Sequence, residues 1–137
     1  MIGYDITSRQ MFLGPIDTIV FDSDSGAVEV FAYDRNAVNM YYYLRGFDTG
    51  IEDIFMDQDG DDIDAHILCT GKDLCKADFY AEVPLGTKLE IDSRDGGVTL
   101  TGVDAEVKAT VAAGDVTGYD LGATTLGLTV ETGNVTL

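Results

Sequence analysis

The residues whose types and spacing could do chemistry fall in one stretch, from Tyr41 to Cys75. Asp57-Gln-Asp59-Gly60-Asp61-Asp62-Ile63-Asp64 places carboxylates at the first, third and fifth positions of a loop, from which oxygens can converge on a hard cation such as Ca²⁺. The match to a calcium loop then breaks. Its sixth position is Asp62 where a glycine belongs, and its twelfth is Leu68 where a bidentate glutamate belongs. A solvated Asp-Gly hairpin turn explains the same letters. Asp57, Asp59 and Asp61 therefore stand as a Ca²⁺ candidate beside a plain turn, and no other cofactor is expected.

Cys69 and Cys75 are the only cysteines. At that spacing they either close one small loop as a disulfide, in an oxidising compartment, or stand as two thiols. A disulfide there would contribute on the order of 2 to 3 kcal/mol by loop-closure entropy. With a single histidine and no second cysteine pair they are too few for structural zinc. That histidine, His66, shares its strand face with Asp64 and Leu68 and is expected as a solvated or edge residue. No nucleophile-elbow glycine pattern accompanies it.

Tyr41-Tyr42-Tyr43 is the candidate binding surface, with Tyr33, Phe47 and Tyr80 in nearby predicted strands. Successive strand residues point to opposite faces, so Tyr42 opposes Tyr41 and Tyr43. An amphipathic ring beside carboxylates suits sugar or protein surfaces. Cross-strand aromatic packing explains the tyrosines too.

Composition narrows the classes. The 137 residues carry 25 Asp+Glu against 8 Lys+Arg, a net charge of −17. Nucleic acid needs clustered cations and is not expected as a partner; unaided adsorption to anionic lipid is disfavoured too. The apolar runs fall short of the roughly 20 residues of a membrane-spanning helix. The opening Met1-Ile-Gly-Tyr-Asp-Ile-Thr-Ser-Arg9 lacks the basic and apolar regions of a signal peptide. Some pair among 19 Asp will always sit at the roughly 5 to 10 Å that glycoside cleavage needs, so such pairs carry no signal. The chain is expected not to be an enzyme.

These residues must be held by something, and the clearest organisation lies in residues 89–137. Leu89-Glu-Ile91-Asp-Ser93-Arg-Asp-Gly96-Gly-Val98, Val107-Lys-Ala109-Thr-Val111-Ala-Ala-Gly114-Asp-Val116 and Leu126-Gly-Leu128-Thr-Val130-Glu-Thr-Gly133-Asn-Val135 align on their glycines, with first residues 18 and 19 apart. Alternation sends every second side chain to one face, and the glycine permits a sharp turn. A fixed period of this length predicts stacked coils. Leu89, Val107 and Leu126 form one expected interior column, and Val98, Val116 and Val135 another. Thr99, Thr101, Thr117, Thr129 and Thr136 face out.

Earlier in the chain, residues 1–15 read as an N-terminal arm or edge strand. Ile19-x-Phe21-x-Ser23-x-x-Gly26-Ala-Val28 repeats the pattern as a detached fourth coil within a single domain, residues 16–137. Between them, about residues 38–83, lies an expected insert of antiparallel hairpins, closed by Pro84, which cannot continue a central ladder. The fold class is thus all-β: a short single-stranded β-helix or β-solenoid-like stack of Gly-x-Val coils with flanking antiparallel hairpins.

Four features in this order resemble the putative adhesin domain family of bacteria and archaea. They are the coil at Ser25 to Val28, the Asp59-Gly60-Asp61 hairpin, the Val83-Pro84-x-Gly86-Thr87-x-Leu89 junction and the repeated Gly-x-Val coils. The resemblance spans residues 16–137. It implies a β-solenoid-like fold and a surface-binding role at the cell envelope, and it carries no catalytic or ligand residues. The expected function is a non-enzymatic, adhesin-like or envelope-associated module that binds a glycan or a protein. The alternative is a structural domain that pairs with its own copies through the coil at Gly133 to Leu137, which has no polar cap and so exposes backbone groups and an apolar column.

Overall fold

The computed structural model describes residues 3–13, 16–47, 51–69, 75–122 and 125–137. Strict alternation of apolar and polar residues makes strands, and among the described residues thirteen strands and their turns form the fold, without a helix. They are β1 (Gly3–Leu13), β2 (Thr18–Ser23), β3 (Val28–Tyr33), β4 (Ala37–Phe47), β5 (Ile51–Asp59), β6 (Asp62–Cys69) and β7 (Cys75–Pro84). β8 (Lys88–Asp95), β9 (Val98–Thr101), β10 (Val107–Ala113), β11 (Val116–Tyr119), β12 (Leu126–Thr132) and β13 (Val135–Thr136) follow.

Two mixed sheets result: a seven-stranded one in the order β1-β4-β7-β3-β9-β11-β13, and a six-stranded one in the order β12-β10-β8-β2-β6-β5. The chain passes from the second sheet to the first at Gly26, Gly96, Gly114 and Gly133. These passes stack in parallel register. Leu89 and Leu126 flank Val107 in one ladder, and Val98 and Val135 flank Val116 in the other.

The glycines at the corners are required sterically. All four have positive φ, between 124° and 152°. A Cβ on Gly133 would run into the carbonyl of Gly114, one on Gly114 into that of Gly96, one on Gly96 into that of Gly26, and one on Gly26 into that of Ala77. Each corner thus seats the next through the hydrogen atom where a side chain would be.

The structure corrects the β-helix expectation. Each pass supplies two strands rather than three, so two sheets face one another across a core and no closed solenoid forms. It corrects the hairpin insert as well. β5 and β6 do form an antiparallel hairpin, but β4 and β5 lie in different sheets, and so do β6 and β7. β6 runs parallel to β2 and β7 parallel to β3, which places the β2–β3 pass inside the stack. β1 occupies the edge of the larger sheet, antiparallel to β4.

Between the sheets the inward residues pack as one cluster, including Ile19, Phe21, Val28, Val30, Phe79, Leu89, Leu100 and Val107. Phe21 of one sheet meets Phe79 of the other edge-on, ring centres 5.9 Å apart. Truncating a fully buried phenylalanine of this kind costs about 3 to 5 kcal/mol.

Candidate functional site

Among the described residues, the exposed aromatic side chains Phe31, Tyr43 and Tyr119 gather on the outer face of the seven-stranded sheet. Because register is fixed by the ladders, one row crosses the sheet as Arg9, Tyr41, Tyr80, Glu29, Thr99, Thr117 and Thr136. A second row runs Met11, Asn39, Glu82, Phe31, Thr101 and Tyr119. Met11, Phe31 and Tyr119 of that second row are 50%, 38% and 56% exposed.

The triple tyrosine divides between the faces. Tyr42 turns inward onto Phe79, ring centres 6.4 Å apart. Tyr41 stays outside, tilted against Tyr80 at 5.8 Å, with the Arg9 guanidinium 5.7 Å from its ring centre. Tyr43, also outside, is paired across the ladder with Asp78. Between these two outward positions opens a cleft of about 270 Å³, bordered by Tyr41, Tyr43, Tyr80, Glu29 and Asp78. Asp78 is fixed there by accepting the Ala27 backbone N–H at 2.9 Å.

The local field on this face is negative. Burial, and then the carboxylates of Glu82 and Glu29, push the Tyr80 phenol above its ordinary value. Tyr33 is pushed up to about 12, first by burial and then by its hydrogen bond to Glu82. Arg35 lies 5.1 Å from the Tyr33 ring centre.

The opposite face, on the six-stranded sheet, is polar rather than aromatic where its side chains are described. A cleft of about 300 Å³ there is lined by Asp22, Glu90, Asp92 and Lys108 among others. His66 lies on the strand next to the edge of this sheet, not on the edge itself, because β6 is flanked by both β5 and β2. Its Nδ1 lies 3.7 Å from Asp22 Oδ2. Burial raises the Asp22 pKa, and Asp92 and Asp24 add to that while His66 opposes it.

Sequence reasoning placed Tyr41 and Tyr43 on a common face, and the structure brings them together with Tyr80. It missed Glu29 and Asp78, although outward parity in β3 and β7 marks both. Asp57, Asp59 and Asp61 are exposed around the β5–β6 hairpin, where the Asp57 carboxylate caps the backbone N–H of Gln58 at 3.0 Å. Among the described residues no three acidic, histidine or cysteine side chains gather as a cation site. The side chains of Cys69 and Cys75, and with them the disulfide expectation, lie outside the described residues.

No protein-family profile matches the chain. No curated protein matches it either. Solved structures do. The crystal structure of a putative cell adhesion protein from Clostridium sporogenes superposes with a TM-score of 0.59 at 8% identity, covering 97% of this chain and 98% of that one. A putative adhesin from Bacteroides fragilis gives 0.34 at 11% identity, covering 96% of each chain. A putative lipid binding protein from Parabacteroides distasonis gives 0.36 at 9% identity, again covering 96% of each. At such identities the Clostridium likeness establishes a shared fold, and the other two carry no argument.

Proposed function

We propose that this chain is a non-enzymatic, adhesin-like binding module of the cell envelope, and that it binds through the outer face of the seven-stranded sheet. The observation that carries the reading is the cleft bordered by Tyr41, Tyr43 and Tyr80, together with the exposed Met11, Phe31 and Tyr119 of the neighbouring row. Ring faces held on a rigid sheet supply contact area at little entropic cost, and neighbouring carboxylates supply direction. The fold shared with a Clostridium protein named for cell adhesion is consistent with such a role. Binding of the domain to an array of envelope polysaccharides and surface proteins tests it. Tyr41→Ala and Tyr43→Ala should each weaken capture about tenfold or more while lowering the melting temperature by only a few degrees. Capture by both variants at the wild-type level would remove this face from the function.

A second reading, self-assembly, is favoured by the opposite end of the stack. β12 and β13 are the outermost strands of their sheets. There Leu126, Leu128 and Val130 are only half-buried, while Val135 and Leu137 are 46% and 66% exposed. Two copies related by a twofold axis perpendicular to both sheets would pair β12 with β12 and β13 with β13, covering these residues. Light scattering over a range of concentration decides this: a dimer supports pairing, and a monomer throughout excludes it.

A further inference from the structure

The cleft beside Tyr41 also shows what kind of ligand it selects, and this inference rests on that cleft being the binding face. It lies over β3, β4 and β7, lined by Tyr41, Tyr43 and Tyr80 with Glu29 and Asp78, and by Ala27, Tyr42 and Phe79. Aromatic faces present the negative end of a quadrupole, and carboxylates present full negative charge and accept hydrogen bonds without donating any. None of the described residues lining the cleft is Lys, Arg or His. An anion would find only phenol hydroxyls as donors in this lining, whereas a cation would find ring faces and two carboxylates.

The chain already uses this chemistry on itself. The Arg9 guanidinium stands 5.7 Å from the centre of the Tyr41 ring, and the Arg35 guanidinium 5.1 Å from that of Tyr33. Both are cations drawn to aromatic faces of the same sheet. The volume of about 270 Å³ is at the small end of ligand pockets, suited to one ring rather than a protein segment.

We propose that the cleft binds an amine-bearing sugar, with the rings of Tyr41, Tyr43 and Tyr80 against its carbon frame and Glu29 accepting hydrogen bonds from its ammonium group. Asp78 adds negative field from a fixed position, since its Oδ1 is engaged by the Ala27 N–H. The raised pKa of Tyr80, to which Glu29 and Glu82 contribute after burial, reports the same field: the site already resists a further negative charge.

Three sugars that differ in charge on a similar ring test this: glucosamine, glucose and glucuronate, titrated into the domain at low salt and at a pH that keeps the amine protonated. The backbone amide signals of Ala27, Tyr41, Tyr43 and Tyr80 are followed by NMR. Glucosamine should move them saturably, the other two should not, and added salt should weaken the response. Glu29→Gln should weaken glucosamine binding about tenfold, since a charge-assisted hydrogen bond is lost. Arg9→Ala should leave it equal or tighter by removing a competing cation, an outcome that loosening of the fold would not produce.

Equal response to glucose would overturn the amine requirement while leaving the binding face in place. A preference for glucuronate, or no saturable shift with any of the three, would overturn it as well. The binding face is judged separately, by loss of polysaccharide or protein capture in Tyr41→Ala.

Discussion

Tyr33 shows how much a single side chain can report about this surface. Its phenol lies against Glu82, and burial with that hydrogen bond lifts its pKa from 10.0 to about 12. The folded state therefore resists forming the tyrosinate more than the unfolded chain does. Stability from this group is complete below pH 10 and is lost as the pH rises towards 12. In an ultraviolet titration of the phenolates Tyr33 should ionise late, and Tyr33→Phe should remove a step near pH 12. The variant should also retain more of its stability at that pH than the wild type. Loss of a step near pH 10 instead would mean that Tyr33 is not held against Glu82.

At the scale of elements, the corner glycines and the alternation between them carry the fold. Gly96 has φ +152° and faces the carbonyl of Gly26, so Gly96→Ala must move backbone. We expect a loss of about 3 kcal/mol or more, at the severe end of single substitutions. Gly60, with φ +63° and nothing within 4 Å of a Cβ, should lose only about 1 to 2 kcal/mol on the same change. Similar losses in denaturant unfolding would show that conformation alone, not the stacked corners, sets the cost. Val116 is buried in its column while its neighbour Thr117 faces out. Val116→Asp should therefore cost several kcal/mol, of order 3 to 5, and Thr117→Asp less than about 0.5. Equal losses on melting would contradict the inward and outward assignment.

The same elements show what could be read in the sequence. Gly26, Gly96, Gly114 and Gly133 were legible because one residue type, at a fixed distance after an alternating run, meets a steric demand. The β6–β7 pass was not, because Ala77 stands where the others have glycine and donates its N–H to Ser25 as they do to their neighbours. More residues also separate β6 from β7 than separate the two strands of the other passes, a spacing that reads as a hairpin loop. Nor does a strand's own sequence state which sheet it joins: β4 and β5 follow one another in the chain, yet belong to opposite layers. The β-helix expectation was too specific for a related reason, since alternating runs and glycine turns do not state how many sheets the coils form. In the candidate site, Tyr41 and Tyr43 were evident as a cluster. Glu29 and Asp78 were not, because their place beside the tyrosines depends on which strands flank β7.

Across the whole molecule, charge outweighs any single contact. With a net charge of −17 the native state repels itself, and ions screen that repulsion over about 10 Å at 0.1 M salt. Raising sodium chloride from about 0.01 M, where the screening length is about 30 Å, to 0.1 M should raise the melting temperature. A fall over this range would mean that pairs such as Arg94 with Asp24, 3.3 Å apart, outweigh the net repulsion.

The placement of the two edge strands bears on load. β1 and β13 lie at opposite edges of the larger sheet, six strand spacings or roughly 29 Å apart. Tension applied between residues 9 and 136, which share one row of the register, would pull across the strands, along their hydrogen bonds, rather than parallel to them. Bonds pulled in that direction open one after another, as in a zipper, instead of resisting together in shear. Under tension the domain should yield strand by strand from its rims, each freed residue adding about 3.4 Å of chain. A tether built this way lengthens under a steady pull before it lets go.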